Sequence, residues 1–455
     1  MKELLTLSLT GVFTMLADMF NLRKLVFPLA LFGLAMTISW SIFDWDFNQN
    51  IYGMMQIDNY ALGFMIVMCC TALMWFMMSD DFFSKITITT DRFALVFFSL
   101  TGALVMVSYT NLVMLFIGVE ILSVSMYVLA GSSKDDIKSS ESAFKYFLMG
   151  AFASGFLLFG IALMYGVSGS FDIMRIREVV MKGSENSMVL VGIIMLLIGM
   201  GFKVSAAPFH FWAPDVYEGA PTPVTVFMAT IVKTAAIAAL FRLFFVCFST
   251  VGGMWQDIMA GMIVLTLLIG NVAAVAQNSA KRMLAFSSIS HAGYMLMAVL
   301  CANGDSDNSI LFYAASYSVA TIVAFMVIYL VSESTGSMNI SAFDGLGKSS
   351  PILAVGLTVS LLSMAGIPPL SGFMAKYFLF ANAISNGYLW LVLFAIAMSL
   401  VGVYYYFKLI IALYFHDNTE GSSVKADALQ TLLIVLGCGI LLVLGVFPQL
   451  VYSVL

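Results

Sequence analysis

Residues Leu112–Ala130 read LVMLFIGVEILSVSMYVLA. The run is long enough to cross a hydrocarbon layer as one helix, and its only charge is Glu120. Glu120 lies nine residues past Asn111, about 14 Å along a helix at 1.5 Å per residue, so it sits near the membrane midplane. A carboxylate at that depth is costly unless it is paired or hydrated.

The rest of the chain has the same character. Of 455 residues, 61% are hydrophobic and 10% charged, far from the balance of a water-soluble domain. At about 20 residues per crossing the apolar complement allows about 14 spans, and apolar runs of that length can be counted to about 14 along the chain. The fold class is therefore all-α, a polytopic membrane helix bundle. Net charge is −5 and scattered, which argues against nucleic acid or acidic substrates as partners. Five cysteines, Cys69, Cys70, Cys247, Cys301 and Cys438, sit in apolar runs without C-x-x-C spacing, so neither zinc nor an iron–sulfur cluster is expected in this chain. The apolar start, Leu4 to Leu16, reads as a retained first span because no small-residue cleavage pattern follows it.

Basic loop residues set the expected orientation. The loops after spans 1, 3, 5, 9, 11 and 13 carry Arg23, Lys24, Lys85, Arg92, Lys134, Lys138, Lys145, Lys281, Arg282, Lys348 and Lys425. The other side has Lys2, Arg175, Arg177 and Lys182, so both termini are expected on the non-cytoplasmic side. Between Phe171 and Lys182, Phe171, Met174, Ile176, Val179 and Val180 form an apolar stripe, the pattern of a short interfacial helix.

Five basic residues remain inside spans: Lys203, Lys233, Arg242, Lys376 and Lys408. Lys233 is ten residues past Pro223 and His291 nine past Arg282, both about midway through their spans. Lys203 precedes Pro208, and Lys376 follows Pro368-Pro369 in a run too long for one straight crossing, so spans 7 and 12 are expected to be broken helices. Each buried charge costs about 2.5 to 3.5 kcal/mol at the bilayer centre. Glu120, Lys203, Lys233 and Lys376 together would consume about 10 to 14 kcal/mol, comparable to a domain's whole stability of about 5 to 15 kcal/mol. With His291 they describe a proton or ion path. Arg242 and Lys408, nearer span ends, read as snorkelling side chains.

Serines and tyrosines around His291 (Ser287, Ser288, Ser290, Tyr294) and in the next span (Ser316, Tyr317, Ser318, Thr321) suit a wet central seam. Spans 4 to 8 and 9 to 13 form two comparable five-helix units, which an odd number of crossings would invert relative to one another. The expected division is a three-span segment at 1–91, repeats at 92–250 and 251–416, and a last span at 417–455. No phosphate-binding loop, dinucleotide motif, metal-ligand spacing or nucleophile–base pair is present in the sequence. Energy for transport is expected to come from a partner or a second ion gradient.

Three stretches carry a resemblance. Lys203–Val224, KVSAAPFHFWAPDVYEGAPTPV, Lys281–Tyr294, KRMLAFSSISHAGY, and Gly366–Phe373, GIPPLSGF, closely resemble the antiporter-like subunits of the respiratory proton-pumping NADH:quinone oxidoreductase, respiratory complex I. The wording from Pro208 to Val224 and the lysine at 376 are nearer to the N-type branch than to the M- and L-types. Mrp-type cation/proton antiporter and membrane-bound hydrogenase subunits share the same core and are the alternatives. The resemblance implies that Glu120 and Lys203 form a coupling pair, with Lys233 a central relay, His291 a polar site beyond it and Lys376 an exit-side lysine. It also implies that NADH, FMN, iron–sulfur clusters and quinone are bound by partner subunits, in a bacterial inner membrane.

Overall fold

The computed structural model describes all residues except 18, 21, 85–88, 134, 183–186 and 417–423, and leaves the side chains of 80, 81, 83, 84 and 89 undescribed. Lys85 and Lys134, counted above among the loop charges, fall outside the described residues.

Helices α1 (Lys2–Leu16) and α2 (Arg23–Phe43) lead to an antiparallel hairpin, β1 (Gln49–Ile51) and β2 (Met55–Ile57). Then follow α3 (Asn59–Ser84), α4 (Thr89–Ser108), α5 (Leu112–Ala130) and α6 (Ile137–Ser168). Short α7 (Ile173–Lys182) precedes α8 (Ser187–Val204), α9 (Trp212–Gly219) and the long α10 (Thr222–Met254). The remainder is α11 (Gln256–Val275), α12 (Ala280–Cys301), α13 (Ser306–Thr335), α14 (Pro351–Ala365), α15 (Ser371–Ser385), α16 (Leu389–Phe415) and α17 (Ala428–Val446).

Among the described residues, 12 helices are long and apolar enough to cross a membrane. Two runs expected to span are not among them. The first, at the N-terminus, forms a helix of 15 residues, and Ile352–Ala383 is divided between α14 and α15, of 15 residues each. The layering follows burial: α10, α12 and α13 are about nine-tenths inside the protein, whereas α2, α6, α16 and α17 are about one-third inside. Helices that are apolar all round belong in the centre, and the polar residues they carry are thereby forced to find protein partners.

Both expected breaks are present. α8 stops at Val204, Ser205 takes a left-handed φ of 63°, and Pro208 follows three residues on. α14 stops at Ala365, Gly366 takes φ 87°, and Pro369 follows at the same interval. Proline offers no N–H to continue a helix, so each break leaves carbonyls pointing into the bundle. A third irregularity had no sequence signal: α10 widens into π turns at Met228–Val232, immediately before Lys233, and at Leu243–Phe248, immediately after Arg242. Helix starts are capped as their sequences suggest, by Asn111 on α5, Asp136 on α6, Ser279 on α12 and Asp427 on α17.

The interfacial helix forms as α7, with Ile173, Ile176 and Val180 buried. Its inward stripe differs from the one read in the sequence: Met174 points outward, because Ile173, Ile176 and Val180 alone keep the helical spacing toward α6 and the end of α10.

Candidate functional site

Of the charges read inside the spans, Lys203, Lys233, His291 and Lys376 are buried and Glu120 is half-buried. Glu120 of α5 accepts a hydrogen bond from the Ser154 hydroxyl of α6. Lys203, in the last turn of α8 and buried, donates to Ser123 Oγ at 2.6 Å and to Tyr127 Oη at 3.2 Å. Glu120, Ser123 and Tyr127 stand three and four residues apart on one face of α5, so the carboxylate and the ammonium's acceptors share a single stripe. Glu120 acts on Lys203 through its charge, yet no ion pair joins them among the described residues. The Lys203 ammonium also lies 5.5 Å from the Tyr127 ring and 5.6 Å from that of Phe202, which offsets part of its desolvation.

Lys233 is 1% exposed and donates to both the carbonyl and the hydroxyl of Ser288 on α12, each at 2.5 Å. The π turn before it re-aims the side chain relative to a regular helix, a geometry common at functional positions. Tyr217 of α9, just past the break of α8, is buried with its ring 5.9 Å from that of Trp212. Tyr217 carried no charge signal in the sequence, and only the packing of α9 against α12 buries it near the lysines' helices.

His291, one turn beyond Ser288 on α12, has both ring nitrogens occupied. Nδ1 is 2.7 Å from Tyr313 Oη and Nε2 is 3.1 Å from Tyr406 Oη, which also bonds Ser287. The Tyr317 ring packs on the imidazole at 4.7 Å between centroids. Lys233 is bound one turn before His291 on α12, at Ser288, and Lys376 lines a cavity with His291. Lys376 of α15 donates to the Ala365 carbonyl at the break of α14 at 2.8 Å and to Ser399 Oγ of α16 at 2.7 Å, with the Tyr294 ring 4.9 Å away. A cavity of about 10 Å³ lined by both His291 and Lys376 has room for about one water molecule. Ser316 also lines it and bonds Ser371 Oγ at 2.7 Å. Beyond Lys376 a largely apolar cleft of about 830 Å³ opens between α15 and α16.

Two expectations about charges need correction. Arg242 is buried rather than snorkelling: its Nη2 donates to Asp58 Oδ1 at 2.6 Å and its guanidinium lies 4.8 Å from the Tyr60 ring. Asp58, on the approach to α3, supplies a partner that no local pattern advertised. Lys281 is not a loop residue. It lies in the first turn of α12, is 1% exposed, and donates to the Ala220 carbonyl at 2.6 Å. Lys408 does sit at a helix end, capping the close of α11 through the Gln277 carbonyl at 3.0 Å. At the end of the bundle below α9, Lys145 bonds Asp215 at 2.7 Å, and Arg282 bonds Glu218 at 2.6 Å and Asp215 at 3.0 Å. Among the described residues, no group of three or more His, Cys, Asp or Glu could hold a metal ion.

The all-α bundle that holds these titratable side chains has known counterparts. The NADH:quinone oxidoreductase/Mrp antiporter transmembrane family matches residues 109–402. NADH-quinone oxidoreductase subunit N of Cytophaga hutchinsonii is 40% identical over 100% of this chain and 99% of its own length. A chain of respiratory complex I from Thermus thermophilus, solved with bound aureothin, superposes with a TM-score of 0.85 at 32% identity, covering 99% of this chain and 98% of that one. A chain of the Mrp complex from Dietzia sp. shares the fold alone, with a TM-score of 0.85 at 19% identity over 99% of this chain and 95% of that one. The chain belongs to the antiporter-like membrane subunits of this family and is a multi-pass membrane protein. Within the family it falls with the subunit N proteins of NADH-quinone oxidoreductase.

Proposed function

We propose that the chain carries protons across the membrane along the row Glu120, Lys203, Lys233, His291 and Lys376, driven by NADH oxidation and quinone reduction in other subunits of its complex. The single observation that supports this most is the shared setting: each of the five side chains bonds a hydroxyl or carbonyl of another helix or turn in the bundle, four of them buried, and a cavity of one-water size is lined by the last two. Lysine suits the work because burial disfavours its charge while a nearby carboxylate restores it. Movement of Glu120 toward or away from Lys203 would load or release a proton, passed by way of Tyr217 and Ser288 to Lys233. His291 and the adjacent water-sized cavity then connect to Lys376, the exit side.

Moving one charge against 100 mV costs about 2.3 kcal/mol, so the row needs an external source of energy. In this reading NADH, FMN, iron–sulfur clusters and quinone are bound by partner subunits, and neighbouring antiporter-like and quinone-arm subunits are direct partners. The membrane is the bacterial inner membrane, with both termini on its non-cytoplasmic side. Residues 92–250 and 251–416 act as two inverted units, each with one broken helix and a lysine bound at or beside the break. Residues 1–91 and 417–455 flank them.

The test uses the assembled complex in sealed vesicles, following NADH-driven proton uptake with a pH-sensitive dye. Lys233→Ala and Glu120→Ala should lower uptake at least tenfold while NADH oxidation by an artificial acceptor persists. Normal uptake in both assembled variants would reduce the chain to a scaffold. The fold it shares with the Mrp chain keeps one other reading in play, a cation/proton antiporter subunit without redox partners. That reading would prevail if the chain purified without flavin and iron–sulfur subunits and its proton flux required sodium.

A further inference from the structure

A second built site lies at the other end of the bundle. α6 starts beside the Lys145, Asp215 and Arg282 cluster and ends beside α7, where a cavity of about 230 Å³ is lined by Asp58, Arg242, Asp307, Met174 and Phe245, among others. Arg242 follows Lys233 by nine residues, about 14 Å along the axis, which is about half the hydrocarbon thickness of roughly 30 Å. With Lys233 at the midplane, the cavity falls at the headgroup boundary. α7 beside it has the buried apolar face and charged outer face of a helix lying in that plane.

The charges in this cavity are complementary to a zwitterion. Arg242 is 5% exposed, spends Nη2 on Asp58, and has no protein acceptor for Nε. Asp307 makes no ion pair among the described residues. One cation and two carboxylates leave the cavity with one net negative charge. A free phosphate would be opposed by both carboxylates, and a simple cation would leave the guanidinium unserved. A phosphate joined to a primary ammonium satisfies both, the phosphate toward Arg242 and the ammonium toward Asp307. The rim supplies what the tails of such a molecule need: Met174 is 53% and Phe245 39% exposed, and both face outward at this depth. We propose that this cavity binds the phosphoethanolamine headgroup of an aminophospholipid, with its acyl chains running down past Phe245.

The site is independent of the proton row and is tested without reference to transport. The assembled complex is placed in vesicles containing a trace of photoreactive phosphatidylethanolamine or, separately, photoreactive phosphatidylglycerol, and cross-links are mapped by mass spectrometry. Phosphatidylethanolamine should label peptides containing Met174 and Phe245. Asp307→Asn, which breaks no ion pair, should lower that label about fivefold, the scale of one lost charge pair near the surface, and should not lower phosphatidylglycerol labelling, which loses a repulsion. Arg242→Gln should lower both. The proposal fails if Asp307→Asn labels like the parent, if phosphatidylglycerol labels as strongly as phosphatidylethanolamine, or if neither reaches these peptides because a neighbouring subunit covers them.

Discussion

Glu120 and Lys203 share one face of α5 without touching, because Ser123, one turn on from Glu120, takes the lysine's proton-bearing nitrogen at 2.6 Å. The carboxylate meanwhile is held by Ser154 of α6. Two hydroxyls therefore keep an oppositely charged pair apart, an arrangement that can close or open with a small movement of either serine's helix. Hydrogen bonds to charged groups are worth about 1.5 to 3 kcal/mol, enough to hold the pair open against a short-range attraction. Ser123→Ala should let Lys203 fall onto Glu120 and lock the switch, lowering NADH-driven proton uptake severalfold in the assembled complex, by about tenfold or more if the full bond energy enters the barrier. Uptake equal to the parent would show that Ser123 does not set the separation.

The two lysines farther along differ in room. Lys233 is clamped by two atoms of Ser288 within a closed core, whereas Lys376 borders the cleft of about 830 Å³. A guanidinium is larger than an ammonium and does not give up its proton. Lys233→Arg should cost both packing and transport, whereas Lys376→Arg should assemble at normal yield and lose transport only. Comparing the amount of assembled complex with its proton uptake separates the two effects.

Tyr406 serves Ser287 and His291 at once, while its neighbour Tyr405 donates only a 3.3 Å bond to Asn271 among the described residues. Tyr406→Phe leaves an imidazole nitrogen and a serine hydroxyl without a buried partner, a cost of about 1 to 3 kcal/mol. It should slow proton uptake by about tenfold or more on that scale. Tyr405→Phe should lie within about twofold of the parent, because its bond is long and partly replaceable. Equal effects of the two would remove Tyr406 from the path.

Close approach at the second break makes a stability prediction. A methyl group on Gly372 would lie 1.8 Å from the Ser363 carbonyl oxygen, where α15 starts against α14. One on Gly439, in the middle of α17, meets nothing within 4 Å. Gly372→Ala should lower the thermal stability or yield of the complex by the scale of an overpacked core, about 1 to 3 kcal/mol. Gly439→Ala should be neutral or stabilising by up to about 1 kcal/mol, since alanine favours a helix. Thermal unfolding of the two purified complexes decides it.

Much of the site is legible in the sequence. Glu120, Lys203, Lys233, His291 and Lys376 declare themselves because a titratable residue in an apolar run is costly and therefore conspicuous, and Pro208 and Pro368-Pro369 announce the breaks because proline cannot continue a helix. Ser287, Ser288, Ser316 and Tyr317 also turned up in the seam where the sequence suggested water. Tyr127, Ser154, Tyr217, Tyr313 and Tyr406 were not singled out, since an uncharged tyrosine or serine in a spanning helix is ordinary until its neighbour is known. Arg242 reads in the sequence as a snorkelling side chain because its partner, Asp58, is 184 residues away in the chain.

The sequence by itself determined that this is a polytopic all-α membrane protein with charges at mid-depth and two interrupted spans. Those properties come from transfer costs and backbone chemistry, which act on each residue where it stands in the chain. Tertiary structure alone decided which hydroxyl meets which lysine, that Glu120 and Lys203 are held apart, and that Arg242 and Asp307 share a cavity. The reason is that hydrogen bonds and ion pairs between helices depend on rotation and crossing angle, and these are set by packing contacts between residues far apart in the sequence.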